Sequence, residues 1–166
     1  IDERVAGIVQ KLKNRGISVF YDNRDTQKPG RKFAEYELKG VPVRIAIGPR
    51  DLENNTVEIA RRDTLTKEVV SIDNIDEYIF NLLVVIQESL FNRALKFREE
   101  NTTEVNSFDE FKNVLDTKGG FVLAHWDGTN EPEEQIKNET KATIRCLLLE
   151  GKDEPGKCVF SGKPSV

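Results

Sequence analysis

The chain has 166 residues, 37% of them apolar and 33% charged, with a formal net charge of −4. That length suits one or two small domains, and the apolar share sustains a core and excludes bulk disorder. The negative balance argues against indiscriminate coating of nucleic acid, and no apolar run reaches a membrane span or opens the chain as a signal peptide.

Residues 2–15 place Val5, Ile8, Val9 and Leu12 on one face, which predicts an amphipathic helix with Asp2 as N-cap and Gly16 at its C-terminal end. Residues 17–21 then read as a strand. Helix followed by strand is the pattern of an α/β layer. Residues 22–28 are a polar loop, Pro29 and Gly30 open a short helix, and Gly40 stops it. A strand is predicted over 41–47, a sharp turn at Gly48-Pro49-Arg50-Asp51, and a hairpin pairing 56–62 with 69–72 across Asp63-Thr64-Leu65-Thr66. From 76 to about 100 runs one long helix. Its apolar face (Ile79, Leu82, Leu83, Ile86, Leu90, Ala94, Leu95), widened by Phe80, Val84, Val85 and Phe91, predicts packing on two sides.

After a boundary near residue 101, Ser107-Phe108-Asp109-Glu110 is a capping box for a helix to about 116, with Phe108, Phe111 and Leu115 inward. Strands are expected over 121–126, 143–149 and 158–160, with an acidic helix over 131–141. The alternation again describes a small α/β module. Cys146 and Cys158, in a chain without secretion features, read as reduced thiols. The chain begins at Ile1 and contains no Met, which reads as a segment of a longer protein.

Charge is unevenly spread. Residues 24–62 carry nine basic side chains against six acidic ones, a local +3, whereas 99–140 carry three against eleven, a local −8. A locally basic face supports a limited contact with RNA, because phosphate attraction decays over roughly 10 Å at ordinary salt. Residues 20–51 concentrate the candidates. Arg24, Lys32, Glu37, Arg44 and Arg50 stand beside Asp22 and Asp51, on loops and short elements of the kind that display binding residues. Two readings stay open for them: an ordinary solvated surface, or a polynucleotide site in which cations hold phosphates and carboxylates accept from base amino groups. Solvation or phosphate contact are the two readings for Arg61 and Arg62.

The runs Asp22-x-Arg24, Pro29-Gly30-x-Lys32-Phe33, Glu37-x-Lys39-Gly40-Val41-Pro42-x-Arg44 and Gly48-Pro49-Arg50-Asp51 resemble the anticodon-binding domain of class II prolyl-tRNA synthetases, of the archaeal- and eukaryote-like type. The resemblance continues through Ala94–Glu99, His125–Gly128, Thr140–Cys146 and Ser161–Ser165, so it covers nearly the whole chain. It implies a mixed-sheet α/β anticodon-binding domain over 1–75, a connecting long helix over 76–100, and a C-terminal α/β domain over 101–166. Family domains of this kind open with an apolar strand ahead of the first helix, which would lie inside the sheet and is absent here.

The resemblance further implies a parent enzyme that activates proline with ATP and Mg²⁺ and esterifies it to proline tRNA in the cytoplasm. Its catalytic residues would precede Ile1. The chain itself supplies no phosphate loop and no nucleophile paired to its single histidine, His125, and solvated turns explain the carboxylate pairs Asp22/Asp25 and Glu99/Glu100. The implied role is recognition. Asp22 or Glu37 would accept from a guanine amino group, Arg24, Lys32 or Arg50 would reach guanine or flanking phosphates, and Phe33 or Tyr36 would stack or else serve the core. Asp22, Arg24, Lys32, Glu37, Arg44, Arg50 and Asp51 are thus carried over as the anticodon surface. Expected partners are proline tRNA and the parent's own catalytic domain, through which family members form homodimers; no DNA or membrane partner is implied.

Zinc-bearing relatives hold a structural zinc with four cysteines in the last domain. Counting back from Thr140–Cys146 places Asp127, Pro132, Cys158 and Ser161 at those positions, a set that predicts no zinc. Besides the synthetase segment, two other readings remain open: a freestanding anticodon-like accessory module without ligase activity, and a purely structural α/β module.

Overall fold

The computed structural model describes residues 2–149 and 155–165. They form two compact units, one ending at Arg93 and the other beginning at Ala94.

In the first unit, α1 (Asp2–Asn14) buries Val5, Ile8 and Leu12, three of the four positions its periodicity singles out. Gly16 follows with φ +77°, and its N–H donates to Lys13 O at 2.9 Å. A residue with a Cβ would be strained in that left-handed turn. Residues 17–21 join no ladder, contrary to the predicted strand. Ile17 and Val19 nevertheless pack against the core, so alternation located the apolar face correctly. A strand also needs a paired neighbour, which local pattern cannot supply.

Next come α2 (Pro29–Leu38), β1 (Val43–Ala46), α3 (Pro49–Glu53), β2 (Thr56–Arg61), β3 (Lys67–Ser71) and α4 (Ile75–Glu100). The predicted sharp turn after β1 is therefore a short helix. Pro49 opens it where no N–H is required, and Asp51 accepts from the Gly48 N–H at 2.7 Å. The three strands form an antiparallel sheet in the order β1-β2-β3, with Ile45 opposite Ile59 and Val57 opposite Val70. Period two sends Val57 and Ile59 inward, both fully buried, against Ile8 and Leu12 of α1 and Ile75, Ile79, Leu82 and Ile86 of α4.

Leu90 and Phe91 are exposed, so the burial predicted all along α4 stops at Ile86 within this unit. Its other elements cover only the first turns of the helix. β1 pairs on one side alone. Along its other edge lies an apolar groove of about 1400 Å³ walled by Ile8, Val19, Ile45, Ile47, Phe80 and Leu83. An open edge beside an apolar wall is a surface with which a further extended segment pairs.

In the second unit, β4 (Thr102–Glu104) and β5 (Phe121–Leu123) form a parallel pair connected by α5 (Phe108–Thr117). β4 was not foreseen. Three residues carry too little alternation to announce a strand, and its partner is distant in sequence. The Ser107 half of the expected capping box is present: Ser107 accepts from the Glu110 N–H, while Glu110 reaches one residue further back than the box requires, to the Asn106 N–H. Phe111 is buried, and Phe108 packs edge-on to Phe160 with ring centres 5.0 Å apart. α6 spans Asn130–Thr140. Residues 143–148 form no strand, and 158–160 lie in a turn closed by a Lys157–Pro164 bridge. Both strand expectations rested on apolar content alone, and neither segment meets a continuous ladder partner. Antiparallel and parallel pairing thus both occur in this α/β chain.

Candidate nucleic-acid interface

Seven candidate residues were named on the first unit, and the structure separates them by what each already holds. Asp22 is the centre of one cluster. Its Oδ1 accepts from the Arg24 backbone N–H at 3.1 Å and from Arg24 Nε at 2.9 Å, and its Oδ2 accepts from Arg24 Nη2 at 2.7 Å and the Tyr36 hydroxyl at 3.1 Å. Lys32 Nζ donates to the Asp22 carbonyl at 3.2 Å. Arg24 also donates to Glu35 at 2.9 Å, and Glu35 accepts from Lys39 one helical turn on at 2.6 Å. The loop is therefore tied to α2 by a chain of alternating charges. Asp22 shapes it, with both carboxylate oxygens and the backbone carbonyl engaged within the protein.

Arg44 sits differently. Period two along β1 turns Val43 and Ile45 to the core and Arg44 to the opposite face, where its guanidinium lies 3.5 Å from the centre of the Phe33 ring. Its Nη1 stands 3.6 Å from Glu58, a charge contact too long for a hydrogen bond. The Nε and Nη1 atoms are buried and have no hydrogen-bond partner. Buried guanidinium donors left unpaired cost stability. Both atoms are closed to solvent, so a ligand meets Arg44 only through the rest of the side chain, which is 14% exposed.

Asp51 is occupied in the turn before α3, as described above. Glu37 uses its carbonyl to receive Arg62 Nε at 2.9 Å, while its side chain and that of Arg50 make no hydrogen bond or ion pair among the described residues. Asp22, Lys32, Arg44 and Asp51 line the large groove; Glu37 and Arg44 line a small adjoining cleft with Arg61 and Arg62. Phe33 already carries Arg44 on its ring, and Tyr36 packs at 5.7 Å from Phe20, so both aromatics serve the scaffold as well as the surface. Glu35 escaped the sequence reading. Its spacing to Lys39 (i, i+4) is the signal that identifies it. Arg61 is bound to Asp63 at 2.8 Å.

Arg24 holds the Asp22 carboxyl well below the ordinary carboxylate range, with Tyr36 adding to the effect. Asp63 and Asp76 are likewise lowered, by Arg61 and Arg15. A carboxylate with a depressed folded-state pKa stabilises the fold above its unfolded value and loses that contribution as pH falls. Urea midpoints are therefore expected to hold steady at neutral pH and to drop below about pH 4, where unfolded carboxylates titrate. In Asp22→Asn the drop should be shallower. An unchanged slope for that variant would contradict the assignment.

His125 lies in the other unit, and no three His, Cys, Asp or Glu side chains gather as a metal site among the described residues. Neither cysteine is in a disulfide, and no helix of the described residues is long and apolar enough to cross a membrane.

Comparison with known proteins adds two matches. Residues 1–82 fit the family model of the anticodon binding domain, and 108–166 that of the prolyl-tRNA synthetase C-terminal domain. Among curated relatives, the proline–tRNA ligase of Porphyromonas gingivalis is 62% identical over 99% of this chain and 33% of its own length. That of Parabacteroides distasonis is 61% identical over 100% and 34%, and that of Flavobacterium psychrophilum 62% over 96% and 32%. The chain spans about a third of the length of the curated relatives it matches.

Proposed function

We propose, for a chain that belongs by its two matched domains to the prolyl-tRNA synthetase family, that it is the anticodon-reading segment of an enzyme that joins proline to its tRNA. The observation that carries this reading is Arg44, stacked on Phe33 with two buried nitrogens unpartnered, beside the Asp22–Arg24–Lys32 cluster. An arginine held flat on an aromatic ring beside further cations suits a surface that meets bases and phosphates, and proline anticodons carry two adjacent guanines. Arg24, Lys32 and Arg50 then serve the guanine edges and phosphates, Glu37 a base amino group, and Asp22 and Asp51 hold the loops that present them.

At the level of the whole protein, the catalytic steps with ATP and Mg²⁺ belong to a domain other than this one. The protein works in the cytoplasm and pairs with its own kind through that catalytic domain. The acidic second unit repels RNA and braces the catalytic domain instead.

The test is binding of a proline anticodon stem-loop to the full-length protein, against a stem-loop with both guanines replaced, at two salt concentrations. A loss of about 1–3 kcal/mol per replaced base marks direct readout. Equal, weak and steeply salt-dependent binding of both would leave only a basic face, and a freestanding accessory or structural module would then explain the chain better.

A further inference from the structure

Asp127 is the buried charged residue of the described chain, at 9% exposure, and it has no ion-pair partner among the described residues. Burying a carboxylate is costly unless its lone pairs are met. Here its Oδ1 accepts from the Thr129 N–H at 3.0 Å and the Thr129 hydroxyl at 2.7 Å, and its Oδ2 accepts from the Ser161 hydroxyl at 2.5 Å. The Ser161 bond crosses 34 residues of sequence.

Ser161 in turn belongs to a tight terminal turn. Cys158 N–H donates to Lys163 O at 2.8 Å, Gly162 N–H to Cys158 O at 2.9 Å, and Ser165 N–H to Gly156 O at 2.9 Å. The Ser161 N–H points at the buried Cys158 sulfur at 3.5 Å. Val159 N–H donates to His125 O at 3.0 Å, which lays the turn along the segment that leads to Asp127.

These residues include the positions at which the family resemblance places zinc ligands, and they do not fit the metal. Pro132 is buried and offers no donor atom. The Ser161 hydroxyl is a poor zinc ligand, and its proton is already given to Asp127. One thiol and one carboxylate remain, short of a closed tetrahedral site.

We propose that Asp127 and Ser161 form a metal-independent clasp: from two ligand positions they bond directly to each other, and so close the 156–165 turn onto the 127–129 loop through hydrogen bonds. Charge-assisted bonds of this kind are the strong ones, and a network with every acceptor met rigidifies what it joins. The clasp lies in the second unit, so it stands or falls separately from the anticodon reading.

The test is amide hydrogen exchange on the full-length protein, with and without a zinc chelator, together with elemental analysis. The Cys158, Gly162 and Ser165 amides are expected to keep their protection under chelation. Ser161→Ala is expected to speed their exchange about tenfold or more, as loss of a bond to a charged group does, with the Gly40 and Val41 amides of the other unit unchanged. Asp127→Ala should do the same or more. If that variant does not fold, the Ser161→Ala and chelation arms still decide. Zinc at one per chain whose removal deprotects 156–165 would overturn the proposal, as would unchanged exchange in Ser161→Ala.

Discussion

Ile59→Ala is expected to lower the unfolding free energy of the first unit by about 2–5 kcal/mol, the range for emptying a fully buried aliphatic site. Ile59 is 0% exposed and sits at the middle of the central strand, opposite Ile45 on β1. Its side chain points to the face on which Ile8, Leu12, Ile75, Ile79 and Ile86 converge. The cavity would open between two helices and a three-stranded sheet, each fixed by other contacts, so collapse into it is limited. Val69→Ala on the neighbouring strand is the control. Val69 is 64% exposed on the opposite face, and its truncation should stay within about 0.5 kcal/mol. Urea denaturation of both variants checks the pair, and equal effects would mean that the sheet does not face α1 and α4 as described.

Arg44→Ala should weaken binding of the proline anticodon stem-loop by about five- to 150-fold, corresponding to the 1–3 kcal/mol of one base contact. Arg44→Lys is the sharper variant. It keeps the charge and so most of the phosphate attraction, but it loses the planar fork and the stack on Phe33. Discrimination against guanine-replaced stem-loops should therefore fall while affinity for the replaced stem-loop holds. Removing Arg44 also relieves two unpartnered buried nitrogens, so the unbound protein should not be destabilised by the loss of a hydrogen bond there. Arg24→Glu acts by another route. It sets three carboxylates together at Asp22, Glu35 and position 24, and detaches the loop from α2, so affinity and anticodon discrimination should both suffer. Stem-loop titrations that leave Arg44→Lys fully discriminating would remove Arg44 from the reading surface.

Much of this protein is written locally. The apolar stripe of α1, the Ser107 cap of α5, the proline that opens α2 and the glycine that follows α1 each act within a few residues, where side-chain spacing and backbone sterics settle the outcome. The motifs from Asp22 to Asp51 and from Thr140 to Ser165 were legible in the same way, because they are runs of particular residues. The sequence by itself thus determined every helix but the short α3, together with the α/β class and the family.

Pairing was decided in three dimensions. The alternation of residues 17–21 located a buried face but found no ladder, and residues 143–148 stayed out of any strand despite their apolar content. The short β4 formed because Phe121–Leu123 lay alongside it. Among the charged candidates, composition gave Asp22 and Asp51 the same standing as Arg44. The structure engages the first with Arg24 and Tyr36, turns the second onto the Gly48 N–H, and packs Arg44 on Phe33 with two donors buried and unpaired. Asp127, read in the sequence only as one member of an incomplete zinc set, proved to be the buried anchor of a turn far along the chain. The physical reason is common to all of these. A strand's hydrogen bonds and a charge's partner are supplied by residues that only folding brings within about 3 Å, and their direction depends on which face the backbone presents there.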